Sequence, residues 1–229
     1  MIKPNDTLGS IVTRIPSSAK LFEQHKIDYC CNGYRSLEEA LKNEPINIKD
    51  LLEDLNTLYD NSKNQLNTDW TKADLNLLVE HILNTHHAFL YEMLPVLSEL
   101  TTKILRVHGM HHPKLSKVHK DFHMLKTELE AHLIKEETIQ YPAIYSYLDT
   151  KSPADLEQAK KVIDDLESEH AAAGDLLKSL RNVTNDYSVP EDTCGTYEKT
   201  YEYLEMLEKD MFQHIHLENN ILFKRLQDL

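Results

Sequence analysis

Glycine, proline and cysteine are all scarce in this 229-residue sequence, with five, eight and three residues respectively. So little glycine and proline, beside abundant leucine, glutamate and lysine, favours helices over sheets. Three cysteines, two of them adjacent, do not make a disulfide framework, which indicates a reducing cytoplasm. The opening residues, MIKPNDTLGS, lack a basic segment followed by an apolar core, so no secretory signal is expected. No apolar run approaches the roughly 20 residues that span a bilayer.

Basic residues are also outnumbered, because 25 Lys and Arg face 38 Asp and Glu, giving a formal net charge of −13. Such an acidic chain repels phosphates, which argues against a nucleic-acid partner or an anionic membrane surface. Histidine, by contrast, is plentiful, with 13 residues. The histidines are therefore the compositional feature that the fold and the function have to explain.

The first 58 residues predict a small helical domain made of short helices with clear breaks. Pro16 ends the first helix, and Asn32-Gly33 gives a strong turn signal directly after two adjacent cysteines. Ser36 and Glu39 have the spacing of a capping box at the start of another helix. The polar, asparagine-rich stretch that follows predicts a linker over residues 59–71, and residues 72–229 form the second predicted domain.

Four long segments with apolar residues at steps of three and four fill the second domain, which is the pattern of core-facing helices. They cover Lys72–Val107, Pro113–Leu148, Ala154–Val183 and Glu191–Leu226. Because the breaks between them are short, neighbouring helices should run antiparallel. The sequence therefore predicts an all-α fold, in which a small N-terminal helical domain precedes an antiparallel four-helix bundle.

Six histidine and glutamate residues interrupt the apolar seams of this bundle. They are His87 in the first helix, His132 and Glu136 in the second, His170 in the third, and His214 and Glu218 in the fourth. A single buried histidine is commonly satisfied by a carbonyl or a carboxylate, but these positions are correlated. Each His-x-x-x-Glu pair lies on one helix face, and the two His-to-His separations are 45 and 44 residues. The pattern indicates two helical hairpins that supply matching ligands to one buried site.

Buried carboxylates and imidazoles need partners, because an unpaired buried charge is strongly unfavourable. A closed zinc site would favour cysteine, and calcium or magnesium would favour oxygen ligands alone. Mixed imidazole and carboxylate ligands in a bundle core favour iron, with manganese as an alternative. Two carboxylates cannot neutralise two such ions, so a bridging oxide or hydroxide is expected, with an open position on each ion.

Several short motifs carry a resemblance to a known family. They are DYCCNG and SLEEA near the N-terminus, followed by RVH, HLIKEE, ESEH and HIHLENNILF in the bundle. Over nearly the whole chain they resemble the Repair of Iron Centres family, the iron–sulfur cluster repair di-iron proteins, which combine an N-terminal DYCC module with a haemerythrin-like bundle. One departure is Asn32-Gly33 in place of the usual Gly-Gly after the cysteines, and asparagine tolerates the same turn geometry.

This resemblance implies a cytoplasmic protein, induced by nitric oxide or oxidative stress, that helps to restore damaged iron–sulfur clusters by supplying labile iron. The implied cofactor is two iron ions with an oxo or hydroxo bridge, held by His87, His132, Glu136, His170, His214 and Glu218. Glu128 and Glu169 resemble acidic residues that the family has near the centre, for iron exit or proton supply. The implied partners are damaged iron–sulfur proteins or a cluster scaffold, with nitric oxide or dioxygen as small ligands; a homodimer is left open.

Two other functions would use the same centre. One is reduction of nitric oxide to nitrous oxide across the two irons, which leaves open whether the chain is an enzyme. The other is reversible binding or sensing of dioxygen or nitric oxide.

The roles of the three cysteines, and the choice between two adjacent histidines in the first helix, are less determined by the pattern. Cys30 and Cys31 are interpreted as redox or metal-transfer thiols, and Cys194 as structural or incidental. His86 also fits the apolar seam of the first helix, but the repeat spacing and the resemblance both prefer His87 as the ligand.

The remaining histidines are predicted to lie outside the metal site. His108 is 21 residues from His87, which is about 31 Å along a straight helix. Seven others are expected at the surface: His25, His81, His111, His112, His119, His123 and His216.

Overall fold

The computed structural model describes residues 1–62 and 68–229 of the chain. Residues 63–67, in the middle of the predicted linker, lie outside the described residues. The described part contains no β-strand, only one isolated antiparallel bridge between Thr7 and Ser36. Across the same two ranges, no helix combines the length and the apolar character that crossing a membrane requires. The prediction of an all-α fold is confirmed.

Packing divides the chain into two compact units. One unit combines Met1–Leu78 with Phe212–Leu229, and the other is Val79–Met211. The division falls within a single helix, between Met211 and Phe212. This division is based on how tightly the residues pack, whereas the predicted domains are based on sequence pattern. The domain bounds 1–58 and 72–229 therefore stay a prediction.

Four short helices precede residue 63: α1 (Leu8–Arg14), α2 (Ser18–Gln24), α3 (Leu37–Leu41) and α4 (Ile48–Ser62). The predicted capping box is present at α3, where Ser36 Oγ accepts a hydrogen bond from Glu39 N at 3.2 Å. The Glu39 carboxylate in turn accepts one from Ser36 N at 3.0 Å. Because α4 continues to Ser62, the first residues of the predicted linker are helical.

Four helical segments follow residue 68. They are α5 (Leu75–His81), π1 (Ile82–His87) and α6 (Ala88–His108); α7 (Leu115–Lys135), π2 (Glu136–Gln140) and α8 (Tyr141–Thr150); α9 (Pro153–Lys161) and α10 (Ile163–Thr184); and α11 (Gly195–Leu217), π3 (Glu218–Leu222) and α12 (Phe223–Gln227). The third predicted helix is interrupted at Val162, whose ψ of −3° departs from the usual α-helical value of about −42°. The fourth begins at Gly195, four residues later than predicted, after a run of turns.

Side-chain contacts in the unit Val79–Met211 show the directions of its helices. Residues late in one helix contact residues early in the next, and the reverse. The pairs are Thr102 with His119, His87 with Glu137, Ser179 with Asp121, and His132 with Glu169. His86 and Asp210 make the corresponding contact between the first segment and α11. This crossed pattern requires neighbouring helices to be antiparallel, as in an up-and-down bundle.

Each of the π-helical stretches begins or ends at a candidate metal ligand. π1 ends at His87, π2 begins at Glu136 and π3 begins at Glu218. A π turn contains one residue more than an α turn, so the side chains after it are rotated by about 100° from their α-helical positions. This rotation explains why Ile139, which the sequence pattern predicts to be buried, is 38% exposed while Gln140 is fully buried.

Candidate metal centre

His87, His132, Glu136 and His170 come together in the unit Val79–Met211. The two oxygens of Glu136 each lie 3.3 Å from an imidazole nitrogen, Oε2 from His87 Nε2 and Oε1 from His132 Nε2. His170 Nε2 lies 3.0 Å from His132 Nε2. All four side chains are at most 2% exposed. One buried carboxylate therefore faces two imidazoles, with a third imidazole beside them.

The outer nitrogens of two of these imidazoles are held by further carboxylates. His87 Nδ1 lies 2.8 Å from Glu137 Oε1, and His132 Nδ1 lies 2.8 Å from Glu169 Oε2. Because a carboxylate can only accept, Nδ1 of each ring carries the proton and donates it. Nε2 of each ring then presents a lone pair to Glu136. Metal-binding histidines have this arrangement, in which the carboxylate fixes the tautomer and the ring orientation.

Lone pairs that face a carboxylate are repelled unless a cation lies between them. Among the described residues, neither oxygen of Glu136 has a hydrogen-bond partner, although the residue is fully buried. Two ligand atoms on one ion at about 2.1 Å are roughly 3.0 Å apart in an octahedron and roughly 3.4 Å apart in a tetrahedron. The observed separations of 3.0 and 3.3 Å fall within that range. The donor set therefore fits a metal ion, and its mixed chemistry suits iron.

The second His-x-x-x-Glu pair lies in the unit that contains Phe212–Leu229. His214 Nε2 is 3.1 Å from Glu218 Oε2, and both side chains are fully buried. His214 lies in the last turn of α11 and Glu218 opens π3. His132 and Glu136 have the same relation to α7 and π2. The internal repeat seen in the sequence is therefore also a repeat of local structure.

Glu137 and Glu169 connect the buried imidazoles to the protein surface. Their side chains are 31% and 35% exposed, whereas the histidines that they contact are almost fully buried. Burial raises the pKa of Glu169, but hydrogen bonds from Lys135 and His132 outweigh burial and hold it below its usual value. Tyr91 donates a hydrogen bond of 3.0 Å to Glu137. Glu169 is therefore ionised at neutral pH and suited to accept the hydrogen bond from His132 Nδ1.

His87 and the alternative His86 have different carboxylate partners, and the choice of His87 as the ligand stays a prediction. His86 Nδ1 is paired with Asp210 at 2.9 Å, while His87 faces Glu136. Glu169 is beside the site, in contact with His132, whereas Glu128 is exposed and lines a surface depression. The role predicted for Glu128 stays a prediction. Sequence reasoning did not identify Glu137, although a second acidic residue directly after a ligand in HLIKEE was a usable signal.

One prediction about the other histidines is wrong, because His216 is buried and not at the surface. Its ring packs edge-on against Tyr29, with the ring centroids 5.7 Å apart, and its Nδ1 lies 3.2 Å from Asn220 Nδ2. Burial lowers the pKa of His216 to about 3. The remaining six are exposed or half-buried: His25, His81, His111, His112, His119 and His123. His216 is the exception because its side of α11 is covered by the DYCC turn.

Cys30 and Cys31 lie in a turn that is organised by Asp28. The two Sγ atoms are 3.7 Å apart, and Cys30 Sγ is 3.4 Å from Asp28 Oδ1, which also accepts a hydrogen bond from Cys31 N at 3.0 Å. Cys30 is buried and Cys31 half-buried. Burial raises the pKa of the Cys30 thiol. These three residues offer a further group of donor atoms that could hold a metal ion.

Asn220, in π3, holds this cysteine turn by its carbonyl groups. Its side-chain amide donates hydrogen bonds to Tyr29 O and Cys30 O, both at 3.2 Å. Gly9 and Gly33 leave room for it, since a Cβ atom at these positions would lie 2.2 and 2.3 Å from Asn220 Oδ1. Glycine at position 33 is therefore required by close approach of a side chain from the C-terminal segment.

Comparisons with known proteins cover both ends of the chain. Residues 78–226 match the family described as Hemerythrin HHE cation binding domain, and residues 4–59 match the Domain of Unknown function (DUF542), ScdA_N. The chain is similar to iron-sulfur cluster repair protein ScdA of Staphylococcus epidermidis, with 32% identity over 227 residues that span 99% of this chain and 100% of the relative. It is 29% identical to ScdA of Staphylococcus haemolyticus over 225 residues, which are 98% and 99% of the two chains.

A relative from another genus gives the same result. Iron-sulfur cluster repair protein YtfE of Escherichia coli O157:H7 is 34% identical over 219 residues, which are 95% of this chain and 94% of the relative. These similarities extend over both the DYCC region and the helical bundle. The chain therefore belongs to the family of ScdA and YtfE iron–sulfur cluster repair proteins, with a hemerythrin HHE domain as its larger part.

Proposed function

We propose that this protein restores damaged iron–sulfur clusters by supplying iron from a buried centre. The proposed ligands are His87, His132, Glu136, His170, His214 and Glu218. The observation that carries the proposal is the buried carboxylate of Glu136, which faces the Nε2 atoms of two oriented imidazoles. The names of the full-length relatives support repair as the function. The proposed location is the cytoplasm, because three cysteines, two of them adjacent, do not make a disulfide framework and suit a reducing compartment.

The centre is proposed to hold two iron ions. Metal-binding imidazoles are neutral, so the two carboxylates would leave at least half of the charge of an iron pair unbalanced. An oxo or hydroxo bridge would supply part of the difference. Bound iron would supply Lewis acidity and exchangeable positions, for which nitric oxide and dioxygen are the proposed small ligands. Metal analysis and Mössbauer spectra of anaerobically purified protein should show two coupled irons per chain. A single mononuclear iron, or zinc, would contradict the proposal.

The residues around the site favour iron that is held and can still be released. Glu137 and Glu169 reach the surface, and each accepts a hydrogen bond from a buried imidazole. If either carboxylate is protonated or drawn to another partner, its histidine loses orientation and becomes a weaker ligand. Water and protons therefore act on the ligands through these two groups, while the ligands themselves remain buried.

A reactivation assay tests the proposed function directly. An enzyme whose [4Fe–4S] cluster has been damaged by nitric oxide is incubated, without oxygen, with iron-loaded protein or its variants. Glu136→Ala removes the shared carboxylate, and Glu130→Gln is the matched control because Glu130 is exposed on the same helix and pairs only with Lys126 among the described residues. Wild type and Glu130→Gln should restore activity, and Glu136→Ala should not. Equal recovery with all three proteins would exclude iron supply from this centre.

A further inference from the structure

Cys194 lies at the beginning of α11 and is exposed to solvent. Its carbonyl oxygen accepts hydrogen bonds from Tyr197 N at 2.8 Å and Glu198 N at 3.2 Å, so the residue occupies the N-terminal cap of the helix. The N-terminus of a helix carries a partial positive charge, which favours an anion such as a thiolate. The position of this cysteine is therefore suited to its deprotonated form.

His108, the last residue of α6, supplies a second stabilising group. His108 Nε2 lies 3.3 Å from Cys194 Sγ. The imidazole packs edge-on against two neighbouring rings, with its centroid 5.5 Å from that of Tyr197 and 6.0 Å from that of His112. The nearby carboxylate of Asp192 is directed to His112, whose Nε2 lies 3.4 Å from Asp192 Oδ2. The Cys194 sulfur and the His108 imidazole are therefore in direct contact.

Cys194 and Cys30 therefore differ in the pKa of their thiols. The hydrogen bond from His108, followed by those from the backbone amides of Tyr197 and Thr196, lowers the pKa of Cys194 to about 7. Cys30 is buried, and burial raises its pKa. At neutral pH, Cys194 is about half thiolate, and the thiolate is the nucleophilic form of cysteine. Of these two sulfurs, that of Cys194 is therefore the more reactive.

We propose that Cys194 and His108 form a thiolate–imidazole pair that captures low-molecular-weight disulfides as a mixed disulfide. The Cys194 thiolate attacks one sulfur of the small disulfide, a new S–S bond forms, and the original S–S bond breaks. The released thiolate takes a proton from water. One disulfide is replaced by another, so no further oxidant is needed. This modification site uses none of the proposed iron ligands and goes beyond iron supply.

The surroundings indicate which disulfides react. Glu191, Asp192 and Glu198 lie within four residues of Cys194 in the sequence, and the whole chain carries a formal charge of −13. An anionic disulfide is repelled by this charge, whereas a neutral or cationic disulfide is not. We therefore expect cystamine, a dication, to react faster than glutathione disulfide, and the difference to shrink at high salt.

The test is the rate of mixed-disulfide formation at Cys194 in the full-length protein, measured with cystamine from pH 5.5 to 9.5. Peptide mapping by mass spectrometry reports Cys194 separately from Cys30 and Cys31. The wild-type rate should level off above an apparent pKa near 7. In His108→Gln the apparent pKa should rise toward the ordinary value of about 8.5. The rate at pH 7 should then fall about threefold, because far less thiolate is only partly offset by its greater nucleophilicity.

Three controls make the result specific. Cys194→Ser should remove the modified peptide, and His111→Gln, at an exposed histidine three residues from His108, should leave the pH profile unchanged. Glu136→Ala should also leave it unchanged, so failure of iron supply and failure of this proposal are separable. A wild-type apparent pKa above 8, or identical profiles for wild type and His108→Gln, would overturn the proposal. The wild-type profile decides the question even if a variant does not fold.

Discussion

Replacing Glu137 with glutamine is expected to weaken iron binding while leaving the fold intact. Glu137 Oε1 accepts a hydrogen bond of 2.8 Å from His87 Nδ1 and one of 3.0 Å from the Tyr91 hydroxyl. Glutamine has the same shape and one acceptor oxygen, but it lacks the negative charge that makes the imidazole a stronger ligand. The variant therefore isolates the electrostatic contribution of a residue that does not itself face the buried carboxylate.

The expected size follows from the exposure of Glu137. Removing the carboxylate partner of a metal-binding histidine typically weakens metal affinity about 10- to 100-fold. Because Glu137 is 31% exposed, solvent screens its charge, and it supports one imidazole among the proposed six ligands. We therefore expect the lower end of that range of affinity loss. This is about a tenfold rise in the Kd for iron, or about 1.4 kcal/mol of binding free energy.

Anaerobic titration of metal-free protein with Fe(II), in competition with a chromophoric chelator at pH 7, measures this Kd. Glu130→Gln is again the matched control, since it removes the same charge from the exposed face of α7. Thermal unfolding of the metal-free proteins shows whether the variants remain folded. A Kd within twofold of wild type for Glu137→Gln would refute the role of the carboxylate. An equal loss in Glu130→Gln would assign the effect to net charge instead.

Five further predictions concern stability and metal retention. Arg181→Met leaves the fully buried Glu208 without the guanidinium that binds both its oxygens at 2.6–3.0 Å. The free energy of unfolding should therefore fall by about 3–5 kcal/mol and Tm by about 6–20 °C. A Tm change below 2 °C in a thermal melt would contradict this. Asn220→Ala leaves two carbonyl groups without their hydrogen-bond donor and should lower the free energy of unfolding by about 2–4 kcal/mol. Gly33→Ala should lower it by about 1–3 kcal/mol through steric overlap. Denaturant titrations with unchanged midpoints would refute both predictions. Iron should be lost as pH falls below about 6.5, because imidazole ligands bind only when neutral; full retention at pH 5 by metal analysis would show tighter binding. Fe(II) at 100 times Kd should stabilise the folded protein by about 2.7 kcal/mol, and an unshifted melting curve would exclude binding to the folded state.

The helical bundle and the candidate ligands were accessible from the sequence because both depend on local periodicity. Steps of three and four residues define a buried face in each helix, whatever lies opposite it. His132 and Glu136 are four residues apart on such a face, and the repeat with His214 and Glu218 distinguishes them from isolated buried polar residues. The capping box at Ser36 was predictable for the same reason, since all of its atoms lie within four residues.

The features that the sequence did not reveal depend on residues far apart in the chain or on departures from α-helical geometry. Glu137 supports His87 across 50 positions, and no local pattern connects the two. The π turn that begins at Glu136 moved Ile139 to the surface, against its place in the apolar repeat. His216 is buried because the DYCC turn covers it, which no spacing within α11 could indicate.

The position of Asn220 in π3 links two parts of the molecule that differ in chemistry. Asn220 is two residues from Glu218, and both belong to the same short π turn. Oxidation of Cys30 or Cys31, or capture of a metal ion by them, changes the turn whose carbonyl groups Asn220 binds. Because Asn220 and Glu218 belong to the same five-residue π stretch, we expect a displacement of that turn to reach the Glu218 carboxylate. The state of the thiols and the strength of one proposed iron ligand are thus properties of a single structural support.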